Sequence, residues 1–522
     1  MTVSIILLII ATSGIFVSSS CFVDEQNDVK KYLILISTSI FLLLLSFNKE
    51  PISKLKQALN ENIFSYGLIT LSFLLSIQGA LQCLGIIQSN HTYFAISGSF
   101  ENPAGFAAIQ SLLFIVSVYT FFKKKYNKLI KISALTISIL AFITVTTSGS
   151  RCGFFAMSLS TIILIFTETS LKKTIKKHIW LILLFFIVLT TILYYLKEDS
   201  TYGRILIWRI CINMIKDYPL FGFGYDGFIG NYMRYQANYF ETHNQSPYSI
   251  LADNINHPFN EYIKLTVEYG ILALLLALLL LYIIIKIVLK KSNEKKGVGI
   301  SLISTVLILS LFSYPFNYTV FTFIVILILI FVLPIKEPRQ DKKYTIIKNL
   351  TRITVIIFAS FCTYDCFYNY KWSEAYKRSL EGEGNKVMPY YKYLMSKISY
   401  NPYFLYNYSV ELNYIKKYAE SNEVARLLTN RLNDYDVQLL LADNNCNLQR
   451  YDEAIKNYET ASYMIPSRFL PLEEIMNIYL LEKDTINAIE IAKKILSKPI
   501  KIPSGEVNRI RQDAEDLLNG FY

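Results

Sequence analysis

The feature that most constrains this chain is a series of apolar segments, each about as long as a bilayer core requires. A membrane-spanning helix needs roughly 20 consecutive, mostly apolar residues. Such segments occur at 2–20, 32–47, 63–87, 104–122, 130–147, 153–167, 179–196, 262–289, 298–314, 318–335 and 346–365. They predict an all-α, polytopic membrane protein with about 11 transmembrane helices. The first segment has no Lys or Arg before it, which favours an uncleaved helix over a signal peptide.

The loops between these segments predict the orientation of the chain. Lysines cluster in alternate loops, near 49–56, 123–131, 172–177, 290–296 and 336–348, whereas 88–103 and 315–317 contain no Lys or Arg. Cytoplasmic loops carry the excess of Lys and Arg in membrane proteins. We therefore expect an inner-membrane protein with a cytoplasmic N-terminus. The large loop 197–261 and the residues from 366 onward are expected on the periplasmic side.

Composition excludes several classes of function. The chain is 53% hydrophobic and carries 52 Lys and Arg against 40 Asp and Glu, a formal charge of +12. Because the excess lies in short loops, it indicates membrane anchoring and not nucleic-acid binding. The seven cysteines show no CxxC pair or metal-type spacing. Neither a disulfide framework, a metal site nor a cofactor is predicted.

Three arginines on the predicted outer side are candidates for phosphate binding. Arg151 ends the sequence SerGlySerArg, and Arg204 and Arg209 lie in TyrGlyArgIleLeuIleTrpArg, which has the spacing of a helix at the membrane interface. A guanidinium group matches phosphate oxygens bidentately. The alternative for the last two arginines is simple surface pairing, with carboxylates at Glu198, Asp199 or Asp217. The segment 217–228, with Pro219, Gly222 and Gly224, is predicted to end this helix and turn the chain.

His257 is the candidate catalytic base. It lies in AsnHisProPheAsnGluTyr (256–262), immediately before a long apolar segment. A neutral imidazole can accept the proton of an attacking hydroxyl near neutral pH. The alternative is a residue that caps local backbone at the start of a helix. His91 and His243 are expected to be surface loop residues, and His178 is predicted to lie on the cytoplasmic side.

Five motifs occur in an order that resembles a known family. They are GlySerPheGluAsnProAlaGlyPheAlaAla (98–108), ThrThrSerGlySerArg (146–151), TyrGlyArgIleLeuIleTrp (202–208), TyrProLeuPheGlyPheGly (218–224) and AsnHisProPheAsnGluTyr (256–262). Over about residues 60–335 the chain is similar to the O-antigen ligase superfamily, which includes O-antigen ligases, O-antigen polymerases and bacterial protein O-oligosaccharyltransferases. The resemblance implies metal-independent transfer of a glycan from undecaprenyl diphosphate to a hydroxyl acceptor on the periplasmic side.

The same resemblance implies roles for individual residues. Arg151 and Arg204 would bind the diphosphate, with Arg209 beside them, and His257 would be catalytic. Asn102, Asn260 and Glu261 are candidate supporting residues. Asn102 followed by Pro103 also has the pattern of a helix N-cap, a role that is compatible with a substrate contact. Phe259 departs from the family, which often has a second histidine at this position.

The region from 366 onward is predicted to be a soluble domain of helical repeats. In the segment 451–466, Ala454, Tyr458, Ala461 and Pro466 match the second helix of a tetratricopeptide repeat. The register recurs less clearly around Tyr479 and Ala488. We therefore divide the chain into a transmembrane glycosyltransferase domain, 1–365, and a periplasmic tetratricopeptide-like domain, 366–522. The repeat surface is a candidate site for an acceptor or a protein partner.

These observations favour a membrane glycosyltransferase over two other classes. The acceptor is left open between lipid A-core, a protein and a growing glycan, although a repeat domain favours a protein or a large lipid. A transporter of lipid-linked glycan would place ionisable residues or broken helices at mid-membrane. Here the predicted spans carry almost no charge at their centres. An inactive repeat scaffold would not require the arginine and histidine motifs.

Overall fold

The computed structural model describes residues 2–17, 23, 29–47, 61–168, 198–243, 246–290, 295–333 and 342–520. In these residues every regular element is a helix, which confirms the all-α prediction. The helices of the apolar part are α1 (Thr2–Phe16), α2 (Val29–Ser46), α3 (Glu61–Cys83), α4 (Pro103–Phe122), α5 (Lys128–Thr147), α6 (Arg151–Glu168), α7 (Glu198–Asp217), α8 (Gly227–Thr242), α9 (Glu261–Val288), α10 (Lys296–Phe312), α11 (Thr319–Val332) and α12 (Lys342–Arg378).

Ten of the eleven predicted apolar segments coincide with these helices. By length and composition, six described helices can cross a membrane, and four more apolar helices have 10–17 residues. The predicted span 179–196 and His178 lie outside the described residues, as do the loop segments 48–60, 291–294 and 334–341. The helix that contains the last predicted span, 346–365, continues without interruption to Arg378.

The chain forms two compact units, and the first contains most of the apolar helices. It comprises residues 1–193, 259–261 and 276–373. Helix α4 lies at its centre and packs against α3, α5, α6 and α10. Small residues permit the close approach, since a Cβ on Gly153 of α6 would lie 2.9 Å from the Cβ of Ala107 on α4. The apolar core of this unit therefore surrounds a helix that is buried along nearly all of its length.

The second unit combines the large loop with the C-terminal region. It comprises residues 194–258, 262–275 and 374–522. After a single π-helical turn at Ser379–Glu383, its C-terminal helices are α13 (Gly384–Ile398), α14 (Pro402–Tyr414), α15 (Tyr418–Leu428), α16 (Tyr435–Asn447), α17 (Tyr451–Met464), α18 (Leu470–Leu481), α19 (Thr485–Ser497) and α20 (Gly505–Asn519). Successive helices pack in pairs, and Ala454 and Ala461 of α17 are fully buried. The tetratricopeptide character of these hairpins stays a prediction.

Candidate active site

His257 lies in the irregular segment 251–260, between a short 3₁₀ helix at Pro247–Ile250 and the start of α9. The residue is partly buried, and its Nδ1 atom is shielded from solvent. Burial, reinforced by the positive charge of Lys264, lowers the pKa of His257 from 6.5 to about 3. Removal from water disfavours the charged form of an imidazole. His257 is therefore neutral at physiological pH and able to accept a proton.

The backbone that leads to His257 is held by the C-terminal helices of the same unit. The side chain of Gln236, fully buried on α8, donates through Nε2 to the carbonyl oxygens of Asp253 (3.1 Å) and Met464 (2.6 Å). Asn254 Nδ2 donates to Asp434 Oδ2 at 3.1 Å. These bonds join the loop to α17 and to the start of α16. The position of the loop therefore depends on residues 180 or more positions away in sequence.

Helix α7 brings Arg204 to the histidine loop. Trp208 Nε1 donates to the carbonyl oxygen of Pro258, the residue after His257, at 2.8 Å. Arg204 precedes Trp208 by four residues and so lies on the same helix face, one turn away. Leu206 and Ile210 on the opposite side are buried. Arg204, a half-buried residue, is thus on the face of α7 that contacts the loop.

Arg209 points in another direction. Its guanidinium lies over the ring of Tyr239 on α8, with 5.8 Å between the guanidinium carbon and the ring centroid. Tyr239 in turn stacks on His243, with centroids 4.6 Å apart. This is a cation–π arrangement between an exposed arginine and a buried tyrosine. The geometry gives Arg209 a packing role, and its predicted contact with a diphosphate stays a prediction.

The glycine-containing turn after α7 crosses α9 at a break. As predicted, α7 ends at Asp217, two residues before Pro219. The long apolar helix expected after His257 is interrupted at Gly270, whose φ of 75° and ψ of 178° are not helical. At the break, Ile271 N donates to Pro219 O (2.8 Å), while Phe223 N and Gly224 N donate to Val267 O (2.9 Å) and Glu268 O (2.7 Å). The turn therefore satisfies the backbone groups that the broken helix leaves without an i→i−4 partner.

Lys264 is a candidate functional residue that the sequence reasoning missed. It lies in the first turns of α9 and is the charged residue that acts on the pKa of His257. It also places another cation, besides Arg204, in the unit that carries the histidine. The available signal was a lysine between Glu261 and Glu268 in the first two turns of a mostly apolar segment on the predicted outer side.

The remaining predicted residues belong to the first unit. Asn102 is the N-cap of α4, as predicted, because its side chain accepts a hydrogen bond from Ala104 N at 2.9 Å. Arg151 is the first residue of α6, after a turn in which Gly149 has a φ of 75°. Asn260 is buried, and Glu261 Oε1 accepts a hydrogen bond from Phe316 N at 3.0 Å. Whether these residues contact a substrate stays a prediction.

Two of the other histidines make local contacts. His91 Nδ1 accepts a hydrogen bond from Tyr93 N at 3.0 Å. His243 ends α8, and its Nδ1 lies 3.0 Å from Tyr239 O. In the described part of the chain, no group of three or more His, Cys, Asp or Glu side chains is arranged to hold a metal ion.

Residues 103–278 match the family described as O-Antigen ligase. No curated protein matches the chain. The matched stretch contains Arg151, Arg204, Arg209 and His257, and Asn102 lies one residue before it. It supports an O-antigen ligase- or polymerase-type activity in general, on a lipid-linked glycan at a membrane. The helical hairpins of the C-terminal region lie beyond the matched residues.

Proposed function

We propose that this protein transfers a glycan from an undecaprenyl-diphosphate carrier to a hydroxyl acceptor at the periplasmic face of the inner membrane. The observation that carries the proposal is the bond between Trp208 and Pro258, because it joins the helix of Arg204 to the loop of a neutral histidine. A base beside a phosphate-binding cation is the pair of groups that this reaction requires. The match of residues 103–278 supports the same class of activity.

The proposed reaction is a single displacement at the anomeric carbon. The acceptor oxygen forms a bond to that carbon while its proton passes to the imidazole of His257. The bond between the carbon and the phosphate oxygen breaks, and undecaprenyl diphosphate leaves with the electron pair. Arg204, with Arg151 as a further predicted ligand, compensates the charge of the departing diphosphate. Asn260 and Glu261 are proposed to support this site, and the anomeric centre inverts.

The low resting pKa of His257 has a consequence for this mechanism. A base with a pKa of about 3 accepts a proton less readily than an ordinary imidazole. A bound diphosphate brings negative charge, which opposes the effect of Lys264 and favours the protonated imidazole. We propose that donor binding therefore raises the pKa of His257, so that the base becomes effective once the leaving group is in place.

The experiment that tests the proposal is transfer in vitro by the purified full-length protein in lipid nanodiscs. The donor is a glycan on undecaprenyl diphosphate, and the acceptors are lipid A-core, a protein and a glycan chain end, which distinguish ligase, protein-glycosylating and polymerase activity. We expect His257→Ala to reduce transfer by about 10²–10⁴-fold, the usual contribution of a general base. His91→Ala is the matched control and should retain most activity, because its ring caps a local turn.

Two results would contradict the proposal. One is a wild-type protein that moves the lipid-linked glycan across the bilayer without consuming it, which would indicate a transporter. The other is a His257→Ala protein with the wild-type rate at neutral pH, which would place the base elsewhere. Donor binding by the variant, measured separately, shows whether the protein remains folded.

A further inference from the structure

The turn between α7 and α8 presents an exposed apolar tip. Leu220 is 53% exposed and Phe221 is 74% exposed, and Tyr218 and Tyr225 on either side of them are also exposed. The sequence from Tyr218 to Tyr225 contains no charged residue. Single exposed apolar side chains are common on soluble proteins. A contiguous group of them indicates a surface that meets another apolar phase.

The tip is rigidly held and cannot bury itself by local folding. Gly222 N donates to Tyr218 O at 3.2 Å, which closes the turn, and Ile271 N donates to Pro219 O at 2.8 Å. The backbones are so close that a Cβ on Gly222 would lie 2.5 Å from Val267 O. The exposed side chains of Leu220 and Phe221 are therefore a fixed feature of the second unit.

The rigid tip lies beside the start of an apolar helix surface. Ile271, Leu272 and Leu275 follow the break at Gly270, and all three are exposed. They begin the apolar part of α9, a candidate membrane span in which only 6% of the most apolar window is buried. Exposed leucine and isoleucine on such a helix face lipid. The apolar surface of the tip thus lies beside exposed apolar side chains at the start of the apolar part of α9.

The residues around the tip also have the composition of a membrane interface. Tyrosine is enriched where the hydrocarbon core meets the headgroups, and Tyr218, Tyr225 and Tyr269 are exposed here. Ile212 and Lys216 are exposed on the last turns of α7. Lysine at this level interacts favourably with anionic headgroups.

We propose that Leu220 and Phe221 insert into the bilayer interface and anchor the second unit at a fixed depth. Because α7 ends directly before the tip and Trp208 binds Pro258, this anchor also sets the depth of Arg204 and His257. A lipid-linked diphosphate lies at the headgroup level, so a fixed depth would place both residues beside it. This last consequence rests on the proposed function, whereas the insertion itself does not.

The direct test replaces Phe221 with tryptophan and uses lipids brominated on their acyl chains as quenchers. The full-length protein is reconstituted in liposomes, and wild-type protein gives the background from Trp180, Trp208 and Trp372. We expect most of the emission added by Phe221→Trp to be lost in brominated lipid. Ile486→Trp is the matched control: Ile486 is 82% exposed on α19, and its added emission should be unaffected.

The proposal is wrong if the emission added at position 221 is as insensitive to brominated lipid as that at 486. This holds whether the tip is then found in water or against a second copy of the chain, which a concentration-dependent emission shift would reveal. Because quenching requires no transferase activity, this outcome is separate from failure of the proposed function.

A functional measurement uses Phe221→Asp. This variant should lower kcat/KM for a bilayer-embedded donor by about 10-fold or more, because the free energy gained by burying one Phe side chain is lost. The same variant should act almost normally on donor in detergent.

Discussion

The neutral state of His257 makes a quantitative prediction about the pH dependence of transfer. An imidazole with the ordinary pKa of 6.5 would be ~90% protonated at pH 5.5, and a base mechanism would lose about tenfold in rate. With the pKa lowered to about 3, the protonated fraction at pH 5.5 is below ~1%. We therefore expect kcat/KM, which reports the free enzyme, to be nearly constant from pH 7.5 down to 5.5.

Lys264→Met separates the two causes of the low pKa. Burial is the larger cause and the charge of Lys264 the smaller. The removal of Lys264 should therefore raise the pKa of His257, but by less than half of the difference between about 3 and 6.5. The acid limb of the kcat/KM profile should move upward accordingly. The control is Lys386→Met. Lys386 is an exposed residue of α13 that forms an ion pair with Glu383 at 3.1 Å, and its removal should leave the acid limb of the kcat/KM profile in place.

The assay is initial-rate transfer in nanodiscs at constant ionic strength, from about pH 2.5 to 8 so that it reaches the acid limb near pH 3, with thermal unfolding measured at each pH. Thermal unfolding is measured because the pKa of His257 is near 6.5 in the unfolded chain and about 3 in the folded chain. As the pH is lowered, the unfolded chain therefore binds the proton at a higher pH than the folded chain does. Stability therefore falls as pH drops below 6.5 toward about 3. A wild-type kcat/KM midpoint near 6.5 in protein that is still folded would refute the buried, neutral state. A downward shift in Lys264→Met would refute the contribution of the lysine. If donor binding raises the pKa, the acid limb of kcat should lie at higher pH than that of kcat/KM.

Two further predictions concern the arginine helix and the crossing. Arg204→Lys keeps the charge but removes the planar fork of donors, so donor binding should weaken by about 10-fold or more, from one lost bidentate pair. Arg209→Lys should change donor binding little, because Arg209 lies over Tyr239. A wild-type transfer rate in Arg204→Ala would rule out diphosphate binding by Arg204. Gly270→Ala should destabilise the folded protein by about 3 kcal/mol or more. The added Cβ would lie well inside 3.0 Å of Leu220 O, and the φ of 75° at this position is strained for alanine. The control is Gly203→Ala in α7, where a Cβ would meet open space, and it should stabilise the protein by up to about 1 kcal/mol. If Gly270→Ala and Gly203→Ala unfolded at the same temperature, the close approach of Leu220 to Gly270 would be contradicted.

The features that the sequence predicts well depend on local interactions. The apolar segments coincide with helices because length and hydrophobicity alone determine that the backbone must satisfy its own hydrogen bonds in lipid. Asn102 is an N-cap because its side chain needs only the amide two residues later. The end of α7 at Asp217 follows from Pro219 in the same way. Each of these results uses partners within a few positions of the residue concerned.

The features that the sequence does not predict depend on distant partners. Gly270 is a single glycine in a long apolar run, and glycine occurs in continuous membrane helices. It becomes a break only because Ile271 N, Val267 O and Glu268 O have partners in 219–224. The orientation of Arg209 likewise depends on Tyr239, and the position of the histidine loop depends on Met464 and Asp434. No pattern within either segment indicates these contacts.

Phe259 shows how the departure from the family pattern fits the structure. Its backbone φ is 53°, in the left-handed region that a bulky side chain rarely adopts. Its ring packs edge-on against Tyr314, with centroids 5.5 Å apart. Strain of this kind persists only where surrounding structure imposes it and is concentrated at functional sites. The packing against Tyr314 therefore holds the backbone after Pro258 in this shape, and the side chain cannot titrate. A phenyl ring at this position supplies packing and no proton transfer, so in the proposed mechanism the proton of the acceptor passes to His257 without a helper imidazole.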